Sequence, residues 1–184
     1  MTNDEKQPFL SHLEELRRRL IACAIAIGVG FFICYFFSER LFQVLIGPLK
    51  ANMGEGERLI FTNLPEMFFT YIKTAFVAAL LLAAPLIFYQ IWMFVAPGLY
   101  QKEKKYVIPF VIFSSLLFVG GALFGYFIVF PFGFKFFLSF ADEYVQALPS
   151  VKQYFSLSIK LLFAFGIVFE LPVVVFFLAK VGLV

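Results

Sequence analysis

The sequence has few charged residues and a single histidine. Of its 184 residues, 15% are Asp, Glu, Lys or Arg and 62% are hydrophobic, whereas a typical soluble domain is about 25% charged. The single histidine, His12, lies outside the apolar stretches, so Ser114 and Ser115 have no base to activate them. The sequence contains no phosphate-binding loop, Cys-x-x-Cys motif or metal-ligand cluster. We therefore expect an integral membrane protein that is not an enzyme, with no catalytic residue, no metal and no cofactor.

Cysteine is also scarce, with two residues in the whole chain. Cys23 and Cys34 lie in one apolar segment, about 16 Å apart on a helix, which is too far for a disulfide. We expect both to be small lipid-facing residues. The net charge of +3 is too small to indicate a nucleic-acid partner, and anchoring in the lipid bilayer accounts for it.

Four apolar stretches are long enough to cross a membrane, at about 20–37, 74–95, 109–130 and 161–179. Backbone groups in lipid must be paired within their own segment, so these stretches are expected to be helices. The sequence thus predicts an all-α, polytopic helical bundle that forms one domain over residues 1–184. The connections 38–73 and 131–160 are predicted to be outer-face caps, the first with a short helix, a turn and an amphipathic stretch.

The distribution of basic residues indicates how the bundle is oriented. The cluster 17–19 precedes the first span, and Lys102, Lys104 and Lys105 crowd the short second connection. Because cytoplasmic loops are enriched in Lys and Arg, both termini and the connection 96–105 are predicted to be cytoplasmic.

Local signals at that end of the bundle predict a helix start and two anchors. Ser11 and Glu14 form a capping-box pattern, so a helix is expected to begin near His12. Trp92 and Tyr100 are expected to anchor the second span at the membrane interface.

Glu170 is the acidic residue at the centre of the fourth apolar stretch, with nine uncharged residues on each side. A carboxylate near the bilayer midplane costs roughly 2.5–3.5 kcal/mol on insertion scales, so we expect it to be compensated or functional. Pro172 has no amide hydrogen for the carbonyl of Val168, and Gly166 lies one turn before Glu170. Together these features predict a polar notch in an apolar wall.

Three roles are open for this notch. Glu170 is a relay in a proton or solute carrier, a passive link between helices, or part of a concave face that docks or passes a partner helix. A carrier needs a second ionisable or strongly polar group at similar depth, and the other spans offer only hydroxyl and amide side chains, mostly near their ends. In the third span, Gly121-x-x-x-Gly125 permits close helix approach, which ordinary packing within the chain explains.

Three motifs together resemble the TatC family, the integral membrane receptor of the twin-arginine protein translocase. They are HLEELRRRL at 12–20, YQIWMFVAPGL at 89–99 running on to Glu103, and FGIVFELP at 165–172. The resemblance covers essentially the whole chain. It implies a concave, glove-like bundle of six spans, of which the four present here would leave out the last two.

The resemblance also implies a function and a site. The expected function is that of signal-peptide receptor and core subunit of a translocase that exports folded proteins across the bacterial plasma (inner) membrane, as a multi-pass protein using the proton-motive force. Two signal-peptide arginines would each be met by a carboxylate, supplied by Glu15 and Glu103. Phe94 would lie close by, Arg17 would orient the N-terminal acidic residues, and Pro48 would belong to the outer-face cap.

The partners that the resemblance implies are of three kinds. They are the twin-arginine signal peptides of folded precursors, the single-span subunits TatA and TatB, and further copies of the chain in a homo-oligomer within a receptor complex.

Overall fold

The described part of the chain is built from helices. The computed structural model describes residues 3–54, 58–95, 107–141, 144 and 147–181, and the side chains within these ranges except those of 3–11, 180 and 181. The elements are α1 (Asn3–Phe36), α2 (Ser38–Lys50), α3 (Glu66–Val95), α4 (Val107–Phe124), a π-helical turn (Gly125–Val129), α5 (Phe130–Leu138) and α6 (Val151–Val181).

Four helical segments are long and apolar enough to cross a membrane. They are His12–Phe36, Glu66–Val95, Val107–Leu138 and Val151–Ala179. Each overlaps one predicted stretch and extends beyond it, since helix can continue into polar sequence where no residue stops it. The expected helix start near His12 is wrong, because α1 begins at Asn3.

α1 and α3 run antiparallel and pack closely through small side chains. A Cβ added to Gly30 would lie 3.5 Å from Cβ of Ala79, so the two backbones are near van der Waals contact. Ala75, Ala79 and Cys34 form one buried cluster at this contact. The expectation that both cysteines face lipid is therefore wrong for Cys34. Its side chain is small, and small side chains are enriched where two helices pack closely.

α4 and α6 pack even more closely, at two glycines. A Cβ on Gly121 would lie 2.9 Å from the carbonyl carbon of Phe165, so no side chain fits there. On the facing helix, a Cβ on Gly166 would lie 2.7 Å from the ring of Phe118. The predicted role of the Gly121-x-x-x-Gly125 pattern in helix approach is confirmed.

The third span continues past a proline. The π-helical turn lies between α4 and α5, and the amide of Phe130 donates to the carbonyl of Gly125, five residues back. Pro131, which has no amide hydrogen to donate, follows this turn directly. The helix therefore reaches Leu138, and the connection to α6 is 139–150 instead of the predicted 131–160.

The two connections at this end of the bundle are joined to each other. α2 is followed by a turn, as predicted, and buries Phe42, Leu45 and Leu49. The amide of Ile60 donates to the carbonyl of Pro149 at 3.1 Å, and the amide of Val151 donates to the carbonyl of Ile60 at 2.9 Å. The connections thus form one cap over the bundle.

Glu66 holds this cap together from the first position of α3. Its carboxylate is 7% exposed and accepts hydrogen bonds from the amides of Thr62 and Asn63 on one connection. It also accepts one from the amide of Lys152, at 2.8 Å, and one from the hydroxyl of Ser150. The hydroxyl of Thr62 donates to it as well. Because five donors from two segments converge on it, the buried carboxylate is satisfied without a cation.

Candidate functional site

The N-terminal part of α1 meets the C-terminal end of α3 through a polar network. Glu15 accepts hydrogen bonds from Nε and Nη2 of Arg19, one helical turn along α1. Nη1 of the same guanidinium donates to Oε1 of Gln90 on α3 at 3.1 Å. Arg19 is 14% exposed and Glu15 24% exposed at this junction. The carboxylate is therefore held in one orientation by a helix neighbour that is itself tied to a second helix.

Aromatic stacking fixes the same junction. The rings of His12 and Phe94 are stacked, with centroids 4.3 Å apart and planes 18° apart. Nδ1 of His12 lies 4.0 Å from Oε2 of Glu15. The structure thus brings two of the predicted site residues, Glu15 and Phe94, into one neighbourhood through His12.

A groove of about 710 Å³ borders Glu15. It is lined by Glu14, Glu15, Arg17, Arg18 and Ile21 on one face of α1. Arg17 is exposed and makes no hydrogen bond or ion pair with any residue that the structure describes. Among the described residues, the cation that contacts Glu15 is Arg19.

Arg19 and Gln90 are therefore site residues that sequence reasoning missed. Both lie in the quoted motifs, and Gln90 comes one turn before Phe94, so helical spacing could have placed them on one face. Glu103 lies in 96–106, outside the described residues, together with Tyr100.

A second polar cluster lies inside the bundle, where α3, α4 and α6 meet. Nε1 of Trp92 donates to the hydroxyl of Ser114 at 3.2 Å, and the carboxyl group of Glu170 lies against Ser114 and the backbone of Phe118. Trp92, Ser114 and Glu170 are 7%, 1% and 9% exposed. Glu170 is thus sheltered from lipid by protein, but its Oε1 has no hydrogen-bond partner among the described residues, so the cost of its position is compensated only in part.

Trp92 is not an interfacial anchor, contrary to the prediction from its position. Its indole stacks on Phe110, with centroids 4.8 Å apart and planes 14° apart, and meets the edge of Phe177. Burial is possible because its one polar atom finds a hydroxyl acceptor on the neighbouring helix.

The predicted notch is divided between two faces of α6. Two residues along an α-helix correspond to about 200° of rotation, so Glu170 and Pro172 point to opposite sides. Glu170 and Gly166 face α4, whereas Pro172 and Val168 are exposed. The prediction of one notch that combines the carboxylate with the free carbonyl is wrong.

Chemically, the junction at Glu15 is an acceptor for cations. Oε2 of the carboxylate accepts no described hydrogen bond and faces the groove. It can therefore accept a hydrogen bond from a guanidinium of a ligand. The cluster at Glu170 has no such access. No group of three or more His, Cys, Asp or Glu residues that could hold a metal ion occurs in the part of the chain that is described.

Comparison with known proteins decides the family. A family model described as Sec-independent protein translocase protein (TatC) matches residues 11–184. The chain belongs to the TatC family. The TatC protein of Desulforapulum autotrophicum is 56% identical over 181 residues, covering 98% of this chain and 67% of the relative. That of Escherichia coli is 40% identical over 183 residues, covering 100% of this chain and 71% of the relative.

Solved structures agree with this assignment. A crystal structure of the twin-arginine translocase receptor TatC in DDM has a TM-score of 0.84 and 39% identity, covering 94% of this chain and 77% of that one. A second TatC crystal structure has a TM-score of 0.85 and 42% identity, covering 94% and 76%. This TatC-family chain is thus an all-helical, multi-pass membrane protein with a role in twin-arginine protein translocation, a transport function. It spans about two thirds of the length of these relatives.

Proposed function

We propose that the chain is the signal-peptide receptor and core subunit of the twin-arginine translocase in the bacterial plasma (inner) membrane. In this role it lies with both termini in the cytoplasm, works with TatA, TatB and further copies of itself, and draws on the proton-motive force to export folded proteins. The observation that carries the receptor role is the fixed carboxylate of Glu15 beside an open groove.

The chemistry of that carboxylate suits an arginine of the ligand. Arg19 uses Oε1 of Glu15 and is itself held by Gln90, so the carboxylate loses little further freedom when a second guanidinium arrives. A guanidinium presents donors in a planar fork that lysine lacks, which accounts for a preference for arginine. In the proposal, Glu103 supplies the second carboxylate and Phe94 the apolar surface beside them.

A carrier function with Glu170 as a relay receives less support. Its carboxyl group faces the hydroxyl of Ser114 and the backbone of Phe118. Among the described residues, no second charged group interacts with it. A proton wire needs a chain of groups that can exchange protons, and Trp92 is a donor only.

The receptor role is tested by peptide binding to the 184-residue chain in lipid nanodiscs. A fluorescent signal peptide with twin arginines should bind the Glu15→Gln variant roughly 10- to 100-fold more weakly, because one charge-assisted hydrogen bond worth about 1.5–3 kcal/mol is lost. A twin-lysine peptide should bind the unmodified chain more weakly as well.

The matched control is Glu14→Gln, which removes the same charge from the adjacent position. Glu14 is exposed and makes no ion pair with a described residue, so its effect should be less than about fivefold. Equal losses in the two variants would show that only the general charge of the surface matters, and the assignment of Glu15 would be rejected.

A further inference from the structure

Pro48 lies inside a helix, where it leaves one carbonyl without its usual partner. It is the eleventh residue of α2 (Ser38–Lys50). An α-helical amide donates to the carbonyl four residues back, which for position 48 is that of Val44. Proline has no amide hydrogen, so this carbonyl is free to accept from outside the helix.

The free carbonyl is taken by a tyrosine from the third span. The hydroxyl of Tyr126 donates to the carbonyl oxygen of Val44 at 2.6 Å. Tyr126 belongs to the π-helical turn Gly125–Val129, a type of irregularity that occurs frequently at functional sites. Its ring is held edge-on against Phe127 and the fully buried Phe130. The hydroxyl is therefore aimed at Val44 by its surroundings.

The residue before the proline leaves room for this contact. A Cβ on Gly47 would lie 3.3 Å from the hydroxyl oxygen of Tyr126, which is tighter than an ordinary contact. The sequence Gly47-Pro48 thus supplies both the free acceptor and the space in front of it.

We infer that Pro48 and Tyr126 form one positioning unit that fixes α2 against the third span. The proline withholds a hydrogen from Val44, and the tyrosine hydroxyl replaces it. The consequence is the placement of α2 as one wall of an apolar cavity of about 350 Å³, to which Val44, Thr74 and Tyr126 all contribute. Pro48 acts on this cavity through Tyr126.

A neighbouring contact provides an internal control. The hydroxyl of Tyr154 on α6 donates to the carbonyl of Leu45 at 2.6 Å. The helical partner of that carbonyl is the amide of Leu49, which is present. Tyr154 therefore resembles Tyr126 in chemistry and geometry but does not depend on the proline.

The test is a double-mutant cycle in the reconstituted 184-residue chain, read by two measurements. The ¹³C-carbonyl resonance of Val44 reports its hydrogen bond, and spin labels on genetically encoded residues at Gln43 and Leu116 report the distance between α2 and α4. Tyr126→Phe should shift the Val44 resonance and broaden the distance distribution. In the Pro48→Ala background, where the restored amide binds Val44, Tyr126→Phe should have little further effect on either signal.

Two variants complete the experiment. Tyr154→Phe should leave the Val44 resonance unchanged, with the same effect on distance whether or not Pro48 is replaced. Gly47→Ala should shift the Val44 resonance in the direction of Tyr126→Phe, and not when Tyr126 is already phenylalanine. Two results would overturn the inference. One is an unchanged Val44 resonance in Tyr126→Phe, and the other is effects of Pro48→Ala and Tyr126→Phe that simply add. Both signals are recorded on folded protein, so loss of folding cannot produce either result.

Discussion

Two adjacent glycines in the third span make a sharp test of how α4 and α6 are held together. Gly121 faces α6 so closely that a Cβ would lie 2.9 Å from the carbonyl carbon of Phe165, whereas a Cβ on Gly120 would have no atom outside its own helix within 4 Å. The two nearest atoms in front of Gly121 belong to the backbone of Phe165, so they cannot rotate away. Gly121→Ala must therefore push the helices apart.

The expected effects differ in sign. Overpacking of this kind costs about 1–3 kcal/mol. Gly120→Ala instead gains about 0.5–1 kcal/mol from the better helix propensity of alanine. Because Gly121→Ala has the same gain in helix propensity, that gain cancels between the variants, and their free energies of unfolding should differ by about 1–3 kcal/mol.

Reversible unfolding in mixed detergent micelles measures this difference. Gly166→Ala should lower the free energy of unfolding by an intermediate amount. Its new Cβ would meet the ring of Phe118, which can shift, whereas backbone cannot. If Gly121→Ala and Gly120→Ala were equally stable, the close contact between α4 and α6 would not exist in the membrane protein, and the packing argument would fail.

Two further predictions concern buried polar groups. Ser114→Ala should lower the free energy of unfolding by about 1–3 kcal/mol, because the indole of Trp92 loses its acceptor. Fluorescence emission from Trp92, the single tryptophan, should change as well. Unchanged stability would contradict the hydrogen bond. Glu66→Ala should speed hydrogen exchange at the amides of Thr62 and Lys152 by roughly 10- to 100-fold, since it removes both oxygens that accept from them. Exchange that stays slow would mean that the carboxylate does not join the two connections.

The sequence predicts the elements of this fold better than their surroundings. The four spans follow from composition, because uninterrupted apolar sequence of that length has few alternatives. The close approach at Gly121 follows from spacing on one helix. The burial of Cys34 and Trp92 cannot be predicted in this way, because it depends on which neighbouring helix faces them. A span in lipid is apolar on every side, so its sequence does not show which side is buried.

Irregular backbone explains most of the remaining errors. Pro131 is a natural place to end a helix, and only the π-helical turn before it lets the third span continue to Leu138. At the proposed site, regular helix spacing decides the contacts. The motif predicts Glu15, and its described partner on α1 is Arg19, because a four-residue step places Arg19 over the carboxylate and towards Gln90.

The carboxylate of Glu66 also sets an order of events during synthesis. Its partners Thr62 and Asn63 are made just before it, but Ser150 and Lys152 emerge only after the chain has formed the third span and returned. Contacts between such distant positions form late, because the intervening loop must first close. The cap is therefore completed only when the fourth span arrives. In a chain interrupted before residue 152, Glu66 at the start of the second span would lack its hydrogen bond from Lys152.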